Sequence, residues 1–432
     1  MTFVQEIAST NQQPQFGVES TWGTPVACNR LIKTLDIVPA INGQTTPYTP
    51  TGNRYPSAQE QDWEQLDFTI GGIMCYNALA YLLPGAYGVI TPALNGSSAT
   101  AYKHQIIPPI AGASVQRQSY SFQQGDSVRA RSATSLLLSG FGYKWTPKSS
   151  PMLNGVAAFA KPIADAITLT SSPTVIAALP AVAKQFNYYL DTTSAAIGTT
   201  GLTRCFSVDY GFTNIGGPFY ASNRADIGPS GNVDLLPKGN LKLLLEADAV
   251  GLATMLTYYH SQQTLYFRAQ ATGAVIDNLQ IVTLGTQSSG NFTLTYKAQT
   301  TGNIAYNAAA SAVQTAFTGL STVGVGNATV TGSAGGPYSI VFPQTGTLGQ
   351  DLTAITGTFS GLTTPGNASI NSTAQSSDQF THDMALKAAK PNAFADNQGI
   401  YAIEWDLTVV QDTAWGSGQA QVLTVINLLS AL

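Results

Sequence analysis

The sequence predicts a mainly β protein that contains two similar halves, each with a short helix at its side, and a small β-rich domain inserted into the second half. Three observations support this fold class. Short runs of β-branched and aromatic residues alternate with turns rich in Gly, Ser and Asn. Landmarks recur along the chain at one spacing, and a segment of about a hundred residues later breaks that spacing.

Composition limits the classes of function that are expected. Charged residues make up only 10% of the chain, against roughly 25% in typical soluble domains. The formal net charge is −4, so the chain lacks the strongly basic surface that duplex DNA binding requires. Low charge with abundant Gly, Thr, Ser and Asn indicates neutral surfaces, much of which we expect to be covered in an assembly. Tight binding of nucleic acid is not expected.

The sequence of the first half predicts a strand, a long loop, a strand and a helix in that order. The strand lies in "KTLDIVPAIN", the loop at residues 39–61, the second strand in "QLDFTIGGIM" and the helix in "YNALAYLL". The second half repeats this order with "FSVDYGFTNI", a loop at residues 212–238, "NLKLLLEA" and "AVGLATMLTYY". Asp36 and Asp209 are 173 residues apart, and so are Leu79 and Leu252. The shared offset predicts a tandem duplication.

The next pair of landmarks locates the insertion. His104 in "AYKHQIIPP" and His382 in "QFTHDMALKAAKP" are 278 residues apart, an excess of 105 over the earlier offset. The strands "SLLLSGFGYKW" and "GIYAIEWDLTVV" then close the two halves. The predicted units are a first half at 1–150, a connecting segment at 151–185, a second half at 186–278 and 379–432, and an inserted domain at 279–378.

The sequence of the inserted domain predicts strands around one short amphipathic helix. In "NIAYNAAASAVQTAF", Asn307 is the expected N-cap, and Val313, Ala316, Phe317 and Leu320 fall on one face. The domain contains no His and no Cys, so it offers nothing for metal binding. Surface decoration or weak adhesion is the expected role.

No enzymatic centre is predicted. The chain has three His, at positions 104, 260 and 382, and it lacks HExxH, P-loop and GxSxG motifs. Cys28, Cys75 and Cys205 form no CxxC pair and are expected to be buried, reduced thiols. We therefore expect no catalytic residue, no cofactor and no metal. The amino terminus does not resemble a signal peptide, and no apolar run is long enough to cross a bilayer, so no membrane partner is expected.

The order of elements resembles a known family. "FGVESTWGTPV", followed by a strand, a long loop, a strand and "YNALAYLL", is similar to the major tail tube proteins of long-tailed, siphovirus-like bacteriophages. The resemblance covers residues 1–278 and 379–432. The segments "FTLTYKAQTTGNIAYNAAASAVQTAF" and "GGPYSIVF" resemble an immunoglobulin-like or small α+β decoration domain. This implies a duplicated tail-tube β-sandwich or barrel fold with an inserted decoration domain.

The resemblance also implies a function and partners. Tail tube proteins form stacked rings that make a hollow conduit for DNA passage from capsid to host cell. Two folds in one chain favour a ring of three chains with pseudo-sixfold symmetry, and six chains are the alternative. Expected partners are copies of this chain, the tape measure protein and DNA held non-specifically in the lumen, and tail terminator and tail tip proteins. The expected location is the virion, after synthesis in the bacterial host cytoplasm.

The resemblance assigns candidate residues to two roles. The candidates for contacts between rings lie in the two long loops and are Asn42, Tyr48, Arg54, Tyr55, Asn214, Phe219 and Arg224. The candidates for a lumen wall lie on polar faces of predicted strands and are Asp67, Glu404 and Asp406. Each of these carboxylates is equally consistent with ordinary solvent exposure. A phage baseplate or capsid decoration protein, or a bacterial surface adhesin subunit, is the alternative function.

Overall fold

The predicted fold class is confirmed by a computed structural model of the chain. Strands account for 53% of the residues and helices for 11%. The structure describes residues 12–95, 101–110, 115–126, 130–222, 226–343, 353–372, 376–416 and 418–431. These residues form several sheets, and within them no sheet closes into a barrel.

The first half is built from strands and one helix between residues 15 and 175. Its elements are β1 (Gln15–Val18), β2 (Arg30–Leu31), β3 (Leu35–Tyr48), β4 (Ala58–Gly72), α1 (Tyr76–Tyr87), β5 (Ala93–Leu94), β6 (Tyr102–Ile106), β7 (Tyr120–Gly125), β8 (Ala130–Thr146), β9 (Ser149–Leu153), β10 (Val156–Ile167) and β11 (Thr174–Val175). The predicted helix "YNALAYLL" is the first two turns of α1.

The rest of the chain contains the second half and the insertion. The second half starts with β12 (Phe186–Asp191), β13 (Cys205–Thr213), β14 (Gly216–Phe219), β15 (Gly231–Asp234), β16 (Lys238–Glu246), a π-helical turn (Ala249–Thr254), α2 (Met255–Ser261) and β17 (Leu265–Thr283). The insertion carries β18 (Asn291–Tyr296), β19 (Gln299–Thr300), β20 (Ile304–Ala305), α3 (Ala310–Thr318), β21 (Thr329–Gly332), β22 (Tyr338–Pro343), β23 (Thr356–Thr358) and β24 (Ser369–Ser372). The second half ends with β25 (Ser376–Asn397), β26 (Ile400–Val409) and β27 (Gln421–Asn427).

The two halves pair their strands in the same order. In the first half the neighbours run β1, β7, β8, β10, β4, β3, all antiparallel. In the second half they run β12, β17, β25, β26, β16, β13, again all antiparallel. The helices α1 and α2 lie at the same point of this order along the chain. The observed topology is therefore a repeated unit, whereas the exact unit boundaries stay a prediction.

The repeat shows that two of the sequence matches were wrong. Strand order pairs β8 with β25 and β10 with β26 as counterparts, so "SLLLSGFGYKW" is not the counterpart of "GIYAIEWDLTVV". His382 lies in β25, whereas His104 lies in β6, a strand that pairs with β27 and has no equivalent position in the repeat. The aromatic-x-His sequences around His104 and His382 are similar, but the strands that carry them are not equivalent, because a local pattern does not specify which strand is the neighbour.

The halves are joined edge to edge into one sheet. Residues 208–212 of β13 pair with residues 141–145 of β8. One continuous cluster of buried apolar side chains runs through both halves on the side where α1 lies. All twelve residues of α1 are buried. The helix is buried on every side because both halves pack around it.

A buried polar network crosses this joint. The Tyr87 hydroxyl lies 2.9 Å from the Tyr210 hydroxyl, which donates to Gln421 Oε1 at 2.8 Å. His382 Nε2 lies 3.1 Å from the same oxygen, and the Tyr143 hydroxyl lies 3.2 Å from His382 Nδ1. Gln421 Oε1 is an acceptor, so Nε2 carries the proton and Nδ1 accepts from Tyr143. Complete burial lowers the pKa of His382 to about 3.

The insertion lies between β17 and β25, whose counterparts β7 and β8 follow one another directly in the first half. It has its own cluster of buried residues, which shares no member with the main core. Val313 and Phe317 of α3 are buried there, as predicted. The N-cap of α3 is Ala309 and not Asn307, and no side chain caps it, because the helix starts two residues later than expected.

Removal of the insertion should leave the two-half body folded. Ala271 of β17 pairs with Phe380 of β25, and pairing continues to Asp277 and Ser376, so a short Gly/Ser turn can replace residues 279–375. We expect the deletion variant to unfold cooperatively with a midpoint close to that of the full chain, since the main core is untouched. Thermal unfolding followed by circular dichroism measures this. A variant that is soluble but lacks a cooperative transition would show that the insertion supports the body.

Stability should depend on pH through His382. The folded-state pKa of about 3 lies below the ordinary value of 6.5, so the neutral form is favoured in the fold. The stabilisation is complete above pH 6.5 and decreases as the pH falls toward 3, at about 1.4 kcal/mol per pH unit. Urea unfolding of the wild type and of His382→Gln between pH 7 and 4.5 tests this. The variant should be less stable at pH 7, and the difference should shrink on acidification; a constant difference would contradict the assignment.

Candidate functional site on the sheet face and two hairpins

The polar face of the joined sheet carries a row of alternating charges. Backbone pairing brings one residue from each of five adjacent strands into line: Lys144 on β8, Asp209 on β13, Lys242 on β16, Asp406 on β26 and Lys390 on β25. We call these five residues the charged row. The side chains alternate between the two faces along each strand, so the opposite face stays apolar.

Distances within the charged row show ion pairing. Lys144 Nζ lies 3.2 Å from Asp209 Oδ2. Lys242 Nζ lies 3.5 Å from both Glu404 Oε1 and Asp406 Oδ1. The nearby carboxylates of Glu404 and then Asp406 raise the pKa of Lys242. With Glu404 included, three lysines face three carboxylates, so this part of the surface is balanced and not acidic.

The predicted wall residues are only partly brought together. Glu404 and Asp406 do lie on the polar face of β26, where Glu404 Oε1 also accepts from Asn392 Nδ2 at 2.9 Å. Asp67 lies in β4 of the first half, between β3 and β10, and is not part of the charged row. Its carboxylate accepts from Asn42 Nδ2 at 2.7 Å and from Gln65 Nε2 at 2.6 Å. The lysines of the row were not predicted as a set, because their strands are far apart in sequence.

The first predicted loop is largely a β-hairpin. Most of residues 39–61 belong to β3 and β4, which pair up to Tyr48 and Ala58 with one register shift after Gln44, so the prediction of a long loop was wrong. Alternation was missed because both faces of this ladder are polar and exposed. Tyr48 and Tyr55 near the tip are 64% and 79% exposed, and Arg54 is exposed as well.

The second predicted loop also contains a hairpin, formed by β14 and β15. Asn214 has a left-handed backbone (φ 59°) just before it and donates from Nδ2 to the Leu236 carbonyl at 2.7 Å. Phe219 is 53% exposed. Arg224 lies outside the described residues. Sequence reasoning placed these residues in one projecting segment but assigned no strands to it.

The two hairpins contact one another within one chain. Tyr220 donates its hydroxyl to Gln65 Oε1 at 2.8 Å, and its ring centroid lies 5.7 Å from that of Trp63. The Glu64 N–H donates to the Ile227 carbonyl at 3.0 Å. Trp63 and Tyr220 were not predicted as partners; the sequence signal is an aromatic residue in each of two otherwise polar segments. The hairpins therefore form one projecting platform.

An ion pair between the buried Arg117 and the exposed Asp234 anchors the base of the second hairpin. Arg117 Nη2 lies 3.1 Å from Asp234 Oδ1, and Arg117 Nη1 donates to the Leu138 carbonyl at 2.8 Å. Asp234 Oδ2 also accepts from the Val115 N–H at 3.0 Å. Burial lowers the pKa of Arg117, and the charge of Asp234 opposes that shift. The pair connects β15 of the second half to the first half.

Neither a metal-binding cluster nor a membrane-spanning helix occurs in the described ranges. No group of three or more His, Cys, Asp or Glu side chains there is close enough to hold a metal ion. No helix in the same ranges is both long and apolar enough to cross a membrane.

Comparisons with known proteins give little further information. No protein-family model matches this chain, and no curated protein matches it. A solved structure from Mycobacterium phage Patience matches 48% of this chain and 68% of its own, at 12% sequence identity and a TM-score of 0.19. A TM-score this low does not establish a shared fold, so any functional assignment depends on the geometry described above.

Asp234→Asn should loosen the second hairpin. The substitution leaves the buried Arg117 guanidinium without a charged partner, and we expect a loss of about 1–3 kcal/mol in the free energy of unfolding. Limited proteolysis should also cut within residues 216–234 faster than in the wild type. Asp165→Asn is the matched control, because it removes the carboxylate partner of Arg131 in an ion pair that is more exposed to solvent. It should change the free energy of unfolding by less than about 1 kcal/mol. Equal effects of the two substitutions would contradict the anchoring role.

Proposed function

We propose that this chain is a structural virion protein whose copies assemble into stacked rings of a bacteriophage tail tube, a hollow conduit for DNA passage from capsid to host cell. The observation that carries the proposal is the repeated strand order, in which one half joins the next edge to edge. A unit that adds a copy of itself at one sheet edge forms a ring when the rotation closes. Three chains with two units each would make six similar lobes around a pore.

The charged row supports a role in conducting DNA. A wall that passes DNA must not hold it, and an excess of lysine would bind phosphates strongly. In the charged row each lysine has a carboxylate beside it. Such a surface offers neither a strong attraction nor a binding site of fixed register. We assign this face, including Glu404 and Asp406, to the lumen of the ring.

The hairpin platform supports stacking of rings. It carries polar and aromatic side chains, among them Tyr48, Tyr55 and Phe219, that are exposed in the described part of the chain. Exposed aromatic residues on a rigid hairpin are typical of protein contacts. The proposed partners are the next ring of the same chain, the tape measure protein and DNA in the lumen, and terminator and tip proteins at the tube ends. The inserted domain would decorate the outer surface.

Cryo-electron microscopy of the purified full chain tests the proposal. We expect stacked rings of three chains with six similar lobes around an open pore, since each chain contains two equivalent units. Rings of six chains would keep the function and change the stoichiometry. Monomers that do not stack at high protein concentration would overturn the proposal and favour a baseplate or capsid decoration protein or an adhesin.

A further inference from the structure

Two strand edges of the chain are free at equivalent places of the repeat. In the described residues, β3 pairs only with β4. Among the described strands, residues 391–397 of β25 pair only with β26, because β17 and β27 pair with the earlier part of β25. Their counterparts, β13 and the last part of β8, pair with each other. The two kinds of edge that pair inside the chain are therefore the same two kinds that stay open, one on β3 and one on the last part of β25.

A shared bulge gives the register of the comparison. Both halves have a β-bulge just after the same ladder position, Leu138 on β8 and Ala388 on β25. From these positions the paired residues run across the sheet as Leu138, Ala158, Phe68 and Pro39 in the first half, and as Ala388, Leu407, Leu241 and Tyr210 in the second. Pro39 therefore takes the place of Tyr210. Val38 takes the place of Asp209, so the sequence match of Asp36 with Asp209 was displaced by two residues.

The same comparison locates the partner on β25. Tyr210 pairs with Tyr143, five residues after Leu138. A second bulge adds one residue to β25 between Pro391 and Phe394, so the counterpart of Tyr143 is Phe394. The assignment agrees with the faces of the sheet, because Phe394 pairs with buried Ile403 and so lies on the apolar face.

We propose that β3 of one copy pairs antiparallel with the last part of β25 of a second copy, in the arrangement that joins β13 to β8 within the chain. Pro39 then faces Phe394, and Val38 faces Ala395. This inference deepens the proposed function and rests on its ring assembly. The partner is a second copy of this chain, because the internal joint shows that these two kinds of edge fit each other.

Apolar exposure at the two edges agrees with this partner. Ile41, which takes the place of Phe212, is 56% exposed, and Phe394 is 58% exposed. In the internal joint, the Tyr87 ring at the end of α1 stacks on Phe212 at 4.7 Å. The helix α2 holds the place of α1, yet only Met255 of its residues is buried. A second copy would cover α2 with its Ile41, as the second half covers α1 with Phe212.

The internal joint and the joint between copies differ in chemistry, and this difference disfavours the pairing of β3 with β8 in place of β13. The internal joint sets Asp209 against Lys144, with Nζ and Oδ2 3.2 Å apart. The joint between copies sets Val38 against Ala395, so β3 cannot replace β13 beside Lys144 without removing its carboxylate partner. Pro39 and Pro391 lack N–H donors and shorten the ladder, which restricts pairing with other strands. A short ladder is sufficient, since the internal joint pairs only five residues.

Disulfide trapping tests the pairing. The Gly142 carbonyl accepts from Asn154 on the far side of β8, so Lys144 and Asp209 occupy a non-hydrogen-bonded position. Cα atoms at such positions lie about 4.5 Å apart, within disulfide range. Mild oxidation of the full chain that carries Val38→Cys and Ala395→Cys should give a series of covalent oligomers. The largest should contain as many chains as one ring, and reductant should convert all of them to single chains. Lys144→Cys with Asp209→Cys should form a bond within the chain and no oligomers.

Controls separate register from simple proximity. The variant with Val38→Cys and Lys390→Cys places the thiols on the same two edges but five residues out of register. It should give no series of covalent oligomers. Each single variant should give dimers at most. The native thiols Cys28, Cys75 and Cys205 are buried and should not contribute. A series from the out-of-register pair equal to that from the predicted pair would overturn the proposed register.

A measurement on the wild type guards against misfolded variants. Amides of residues 35–41 and 391–397 should exchange more slowly in assembled rings than in dissociated chains, whereas those of 141–145 should be protected in both. Unchanged exchange at both free edges on assembly would overturn the joint. Stacked rings without the predicted disulfide would overturn the joint and leave the tube function standing. The disulfide series in particles that never stack would leave the joint standing and overturn the tube function.

Discussion

The pairing of β13 with β8 is the contact on which the rest of the structure depends. It joins the two halves into one sheet and closes the apolar space in which α1 lies. Because this space excludes water, its polar groups must satisfy one another, and Tyr87, Tyr210, Gln421 and His382 do so across the joint. Loss of the pairing would expose the helix and leave these groups without partners.

The same contact accounts for the polar side of the sheet. Edge-to-edge joining brings Lys144 of the first half next to Asp209 of the second, and the alternation of charge then continues through Lys242 and Asp406. One backbone arrangement thus produces a continuous apolar face and a charge-balanced face.

The errors in the sequence-based predictions share one cause. "AYKHQIIPP" and "QFTHDMALKAAKP" look alike locally, yet His104 and His382 lie in strands with different neighbours. The segment at 39–61 looked like a loop because neither face of its ladder is apolar, and hydrophobic alternation was the signal for a strand. The insertion has a core of its own. The His104–His382 spacing from which its length was inferred compares strands that are not equivalent, so its exact bounds stay a prediction.

Local order was determined by the sequence alone: the mainly β class, the positions of α1 and of the helix before β17, the buried face of α3 and the alternation along β26. Each of these depends on residues close together in the chain, where side-chain periodicity matches backbone geometry. The partners of each strand were decided only in the folded chain. Backbone hydrogen bonds between strands are alike for all residues, so local sequence does not name the neighbour, and the charged row, the hairpin platform and the two open edges arise only when distant strands meet.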